Sequence, residues 1–351
     1  MDNKGVAKYN LTSGAQVYSW GVNSSNVMLY QPKGIAIDST NQKLFIADGI
    51  VKKFNFYGNS ERIGVDPNPA YIPSNSMQPS YFAIDSDGNF YVPDSTTTYS
   101  NNNDLIKKFD NAGNFIKQWG SQGSGDGQFN NIAGIAVSDG YVYVVDAGNY
   151  RVQKFDTDGV YKAQWGSQGV DDGKFGQVNP FNPFGISKPG IAVSDGFVYV
   201  VDTGNHRVQK FDTDGEYKAQ WGSQGVDDGK FRDPSGIAIE HVDIIDGGVC
   251  IGYYLYIYVA DTNNNRIQKF VSHCSGLDNN GKILSGEQWE FASEGVFVQQ
   301  FGWALSEPFD VKVYSGTTFV TDSRNKINKF GLYYSDWEPS GTTSKAIIVA
   351  G

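Results

Sequence analysis

One stretch constrains the fold more than anything else in the chain. Residues 135–175 read IAVSDGYVYVVDAGNYRVQKFDTDGVYKAQWGSQGVDDGKF. The same letters return at 191–231 with four changes: Tyr141 becomes Phe197, Ala147 becomes Thr203, Tyr150 becomes His206 and Val160 becomes Glu216. A near-copy of that length is an internal repeat, and each copy must stack on its neighbours to bury a continuous core.

Four short apolar runs lie inside the unit, at 134–137, 141–145, 152–155 and 161–165. They are rich in Val, Tyr, Ile and Phe and too short for helices, so they predict strands. Between them sit Ser138-Asp139-Gly140, Ala147-Gly148-Asn149 and Asp156-Thr157-Asp158-Gly159, with the Asp-Gly and Gly-Asn pairs that tight hairpin turns require. The unit is therefore a four-stranded antiparallel meander. Four strands in a period of about 40 residues is the pattern of a β-propeller blade.

The motifs carry a family resemblance. Pro-x-Gly-Ile-Ala-Val, Val-Tyr-Val-x-Asp-x-x-Asn-x-Arg-Val-Gln-Lys-Phe, Trp-Gly and Gly-x-Gly-x-Phe recur along nearly the whole chain and resemble the NHL repeat. The resemblance implies a six-bladed propeller, commonly an interaction platform and sometimes an enzyme.

Taken in order, residues 5–21 match only the last two strands of a unit. Full units follow at 32–64, 79–120, 132–166, 189–222 and 234–302, and a sixth at 308–331 lacks a clear fourth strand. The whole chain, 1–351, reads as one all-β domain: a six-bladed β-propeller of four-stranded antiparallel blades, its ring closed with an N-terminal strand so that no sheet edge stays free. Segments 6–10, 326–330 and 345–350 all look like strands, and one of them is surplus. Departures from the period fall at 65–79, at the Ser/Thr/Asn-rich stretch 95–104, at 176–189, and at 241–253 and 272–295 inside the fifth unit. These predict loops.

Composition narrows the function. The net charge of −10 and pI near 4.8 argue against a nucleic-acid partner, which needs clustered Lys and Arg. The longest apolar run, near 251–260, is broken by Gly252 and too short for membrane insertion. The opening residues show no signal-peptide pattern.

Repetition also separates scaffold from chemistry, because an active site needs one asymmetric constellation. Asp146-x-x-Asn149-x-Arg151 returns as Asp202/Asn205/Arg207 and Asp261/Asn264/Arg266, so a turn clasp outweighs a catalytic carboxylate. Trp20, Trp119, Trp165 and Trp221 end fourth strands and read as inter-blade packing, whereas Trp289, Trp303 and Trp337 fall outside the pattern. Asp85-Ser86-Asp87-Gly88-Asn89 lacks the distant Glu of a calcium loop and reads as a turn. Some NHL-like propellers are zinc lyases with several His at the pore; here His206, His241 and His273 are scattered, so neither a zinc site nor any other cofactor is expected.

The leading expectation is a non-enzymatic interaction or adhesion module for a protein or glycan partner, outside the cell or at its surface. The alternatives are a metal-dependent lyase or hydrolase of the propeller class, and a structural subunit of a self-assembling surface array. In this meander the loops between units lie on the same side as the turns between second and third strands. Tyr150, His206, Phe181, Phe184, Tyr99 and Trp303 are the binding candidates on that face. Cys250 and Cys274 are expected to form a disulfide. Pairing Ala260 with Ile267 puts position 274 near position 253, within a few residues of facing, and the bridge favours an oxidising location.

Overall fold

The computed structural model describes residues 16–20, 29, 32–38, 41–48, 51–56, 60–61, 81–98, 101–178, 189–246, 249–275, 290–302 and 304–330. Within these, 16–20, 60–61, 95–98, 101–103, 244–246, 249–251, 273–275 and 290–293 are described by backbone alone.

Six four-stranded antiparallel sheets make up the described chain, which is all-β apart from short 3-10 turns. Blade three, built from the first copy of the repeat, shows the pattern. Its strands are Ile132–Ser138, Tyr141–Asp146, Arg151–Asp156 and Tyr161–Trp165, paired in chain order. The second strand is buried on both faces because each face meets a neighbouring blade, which is why it reads as a continuous apolar run. The fourth strand alternates half-buried with exposed residues, as an outer edge should. After the second strand the chain makes a 3-10 turn at Ala147–Asn149 and leaves it through Tyr150 at φ 55°. His206 and Asn265 occupy the same left-handed position in blades four and five.

The core is divided among six seams, each shared by two adjacent blades. Between blades two and three, Ala83, Tyr91 and Ile106 pack on Phe129, Ile135, Val142, Val144 and Phe155. The same arrangement continues round to Leu29, Ile35, Leu44 and Phe54 against Phe319 and Ile327, which joins the first blade to the sixth. Burying one such Phe or Ile contributes roughly 1.5–3 kcal/mol, so the seams hold the ring together. A Trp from the outer strand of blades two, three and four crosses to the next blade: Trp119 meets Phe155, Trp165 meets Phe211 and Trp221 meets Phe270, with ring centroids 5.9–6.3 Å apart. The third-strand lysines cross too. Lys154 lies 4.3 Å from the Tyr141 ring centroid and donates to the Thr213 carbonyl of the next blade at 2.8 Å.

The sixth sheet runs Pro308–Tyr314, Thr317–Asp322 and Lys326–Phe330, with Gln16–Trp20 beside Lys326–Phe330 as the fourth strand. Lys326–Phe330 is thus a third strand, while segments 6–10 and 345–350 lie outside the described residues. The fourth strand of blade one is described at Ser60–Glu61.

Two sequence expectations need correction. The stretch 95–104 is ladder, not irregular loop: Phe90–Thr98 and Asn101–Phe109 pair through to Thr98↔Asn101. A run of Thr, 96–98, pairs with a run of Asn, 101–103, and the two satisfy each other's backbone groups across the hairpin, which composition alone does not reveal. Likewise much of 241–253 and 272–295 lengthens the strands of blade five to Ile237–Asp246, Val249–Asp261, Arg266–Ser275 and Glu290–Phe301. The register there has Ala260 opposite Ile267 and Tyr253 opposite Cys274. Cys250 pairs with Ile245 on the other side, next to a bulge. It therefore lies three positions beyond the residue facing Cys274, about 10 Å along the strand. A disulfide spans Cα atoms about 4.4–6.8 Å apart, so a bridge requires the chain before Gly252 to bend toward the third strand.

Candidate functional site

Asp146 shows what the repeated polar residues do. One carboxylate oxygen accepts from the Asn130 N–H at 2.7 Å, and the other from Arg151 Nε at 2.8 Å and Asn149 Nδ2 at 2.9 Å. Burial holds the Asp146 carboxyl above the usual range, against the lowering effect of these donors. The Arg151 guanidinium reaches onward to the carbonyls of Ser124, Gly125 and Gln128, and to the Gln164 side chain. Arg207 binds the Asp171 and Lys174 carbonyls, and Arg266 those of Asp227 and Lys230. Blades three, four and five therefore each clasp the connection that enters from the preceding blade. Charge-assisted bonds of this kind are the strong ones, and here they are consumed in holding loops.

Two of the sequence-predicted binding residues fall in this clasped face. Tyr150 is half-buried in the seam between blades three and four. His206 accepts the Asp233 N–H at Nδ1, 3.1 Å away. Asn265, in the equivalent place, accepts the Glu307 N–H at 2.8 Å. The variation at this position therefore includes a structural duty that drift in an exposed loop would not have. Tyr99, Phe181, Phe184 and Trp303 lie outside the described residues. The hairpin of blade two belongs to the same face. Its ladder runs four pairs past Asp94↔Leu105, the level at which blade three turns with Asp146↔Arg151.

A second constellation is absent from the sequence reading. The first strands of all six blades line an axial channel of about 270 Å³, walled by residues such as Ile84, Val137, Val193, Ile239 and Val313. The first strands of blades one, three, four and five present a Gly-Ile-Ala-Val type sequence to the axis. At the narrow end the chains approach closely: a Cβ on Gly190 would lie 2.5 Å from the Ser235 carbonyl, and one on Gly236 2.5 Å from Asp310 Cα. Strand register aligns Tyr81 and Asp310 with these glycines, and Lys312 with the alanines. Six-fold repetition is thus broken at the axis by a Tyr, an Asp and a Lys. Comparing the first strands residue by residue is the signal that finds them.

Asp310 accepts the Ile35 N–H at 2.9 Å and the Val311 N–H at 2.9 Å, and Lys312 Nζ approaches its two oxygens at 3.1 and 3.4 Å. Nζ also faces the Val311 carbonyl at 3.2 Å and the Ile237 carbonyl at 3.4 Å. Burial pushes the Asp310 carboxyl up, with Lys312 opposing. Burial, together with the Asp310 charge, pushes the Tyr81 phenol up. Among the described residues, no group of three or more His, Cys, Asp or Glu is placed to hold a metal ion, and no helix is long and apolar enough to cross a membrane.

Sheets, seams and axial channel define a six-bladed β-propeller. Residues 129–155 and 190–211 match the NHL repeat family, so the molecule is a β-propeller that carries NHL repeats, a fold often used for protein binding. Among solved structures, a structural genomics protein of unknown function from Bacteroides thetaiotaomicron VPI-5482 is 16% identical over 90% of this chain and 72% of its own, with a TM-score of 0.54, which supports the fold. Virginiamycin B lyase from Staphylococcus aureus is 15% identical over 90% of this chain and 99% of its own, at 0.49. The WD40 β-propeller domain of Doa1 is 11% identical over 88% and 81%, also at 0.49. No curated protein sequence matches the chain.

Proposed function

We propose that this propeller is a non-catalytic binding module that works outside the cell or at its surface, and that it engages a protein or glycan partner through the face carrying the inter-blade connections. The observation that carries this reading is the hairpin of blade two. Four residue pairs extend past the level at which blade three turns, and the seams do not need them to close. Surplus structure on the variable face of a rigid scaffold is where binding residues concentrate. Thr and Asn are residue types that suit hydrogen-bonding recognition, and Tyr99 falls in sequence between the two strands. Tyr150 and His206 lie at turns on the same side of the meander, and Phe181, Phe184 and Trp303 fall in sequence between one blade and the next. The extracellular assignment rests on the proposed Cys250–Cys274 bridge.

The test replaces residues 96–103 with Asn-Gly. A two-residue turn then closes the hairpin at Ser95↔Asp104 and keeps the bond from the Asn131 N–H to Asp104. Wild type and trimmed chain are compared on a glycan array and on immobilised cell-surface proteins. The trimmed chain should fold equally well and lose the retained ligands. Equal retention refutes the surface. A stoichiometric metal ion accompanied by hydrolase or lyase turnover refutes the non-catalytic reading, and concentration-dependent size growth shifts the function toward self-assembly.

A further inference from the structure

We propose that the axial channel is a binding site for a small carboxylate with an apolar body, its head against Lys312 and its body within the collar of first-strand side chains. This inference is independent of the partner surface.

The channel narrows like a funnel. Its narrow end is a constriction of about 20 Å³ lined by Tyr81, Phe82, Gly134, Gly190, Asp310 and Lys312 among others. Above it the strands diverge, and Ile37, Ile84, Val137, Val193, Ile239 and Val313 stand half-buried around the opening on the side of the first turns. Each of the six also packs against a seam between two blades, and the surface it leaves half-exposed gives the opening an apolar wall. The volume of about 270 Å³ lies just below the roughly 300–1,000 Å³ typical of ligand pockets, which suits a small molecule.

The head group follows from how the buried pair is satisfied. Asp310 is fully engaged by two backbone N–H groups and Lys312, and its side chain is only 5% exposed. Lys312 is different. Its side chain is 28% exposed, it borders both the constriction and the funnel, and its bonds run from 3.1 to 3.4 Å. An N⁺–H···O⁻ bond at its best is about 2.7–2.9 Å, so exchanging the carbonyl contacts at 3.2 and 3.4 Å for a ligand carboxylate would improve the bonding of the ammonium. A carboxylate there gains a charge-assisted bond in a low-dielectric setting. A cationic head would meet Lys312 before any part of Asp310. A neutral apolar ligand would make no use of the part-exposed ammonium. The asymmetry also argues for use: a plug for the axis would need only bulk, which Tyr81 supplies, and not a buried ion pair that costs desolvation.

Titration calorimetry with octanoate, octanol and octylammonium on the full chain tests the site. Wild type should bind one octanoate, and octanol and octylammonium about tenfold more weakly or not at all, the difference a charged hydrogen bond makes. Val193→Trp, which fills the funnel without touching the pair, should abolish octanoate binding. The double variant Asp310→Asn/Lys312→Met should lower octanoate affinity to that of octanol. If that variant does not fold, Val193→Trp still decides the location and the octanol comparison still decides the role of charge. No octanoate binding, undiminished binding in Val193→Trp, or equal binding of octanol overturns the proposal.

Discussion

Gly215→Ala isolates the packing between blades. The Trp165 ring of blade three lies over Gly215 in the last turn of blade four, and a Cβ there would sit 2.6 Å from Trp165 Cδ2 and Cε3. Carbon atoms pack best at roughly 3.5–4 Å, so about an ångström of overlap must be relieved. The ring cannot retreat easily, because Phe211 and Tyr143 stand 5.9 and 6.4 Å away by centroid. Gly215 also has φ +90°, which taxes any side chain, and Gly140 supplies the control: φ is +76°, but nothing lies within 4 Å of its added Cβ. Gly140→Ala should cost only the left-handed strain, about 1–2 kcal/mol. Gly215→Ala should cost a further 1–3 kcal/mol or so from overpacking. Urea unfolding monitored by circular dichroism measures both. In a Trp165→Leu background the extra cost should disappear, giving a coupling of similar size. Equal costs for the two alanines, or an excess that survives Trp165→Leu, would refute the wedge.

His206→Ala removes the acceptor for the Asp233 N–H and should cost about 1 kcal/mol, while His206→Asn should restore it as Asn265 does for Glu307; urea midpoints that fail to rank in that order reject the duty. Arg207→Met removes the cation from the buried Asp202 carboxylate, which keeps only the neutral donors Asn205, Gln209 and Gly176 N–H, and takes one donor each from the Asp171 and Lys174 carbonyls; a loss of about 3–5 kcal/mol is expected, and a loss below about 1 kcal/mol would mean the clasp is ornamental. Asp110 and Asp156 are held below the usual carboxylate range, Asp110 first by the Asn114 side chain and Asp156 first by Lys162, both aided by turn N–H groups. A depressed folded pKa contributes stability above the unfolded value and loses it as pH falls, so between about pH 5 and about pH 3 the wild type should weaken more steeply than Asp110→Asn/Asp156→Asn, and parallel profiles would exclude the assignment. Counting thiols in the denatured, unreduced protein tests the bridge: two free thiols mean that Cys250 and Cys274 are not joined.

Much of the blade is legible in the letters. The alternation at 161–165, the double-sided run at 141–145 and the turn residues between them predict strands that the structure contains within a residue or two. Trp119, Trp165 and Trp221 recur once per unit and fill seams, as periodic residues should. The Asp-x-x-Asn-x-Arg clasp was readable as a turn, but not its reach into the preceding connection, because Arg151 and Gln128 meet only when two blades stack. The stretch 95–104 was misread as loop because Thr and Asn carry no hydrophobic period, and only the partner strand shows that their backbones pair.

The sequence by itself determined the unit and its number, because a period of that length, with four apolar runs and fixed turn residues, admits one local solution. Tertiary structure alone decided what meets at the axis. Tyr81 and Asp310 are far apart in the chain and each looks like a small lapse in a repeat. Setting six sheets in a ring brings every first strand to the axis, where a departure from Gly or Ala meets the other strands or the channel between them. The channel, its aliphatic collar and the Asp310–Lys312 pair are consequences of that arrangement.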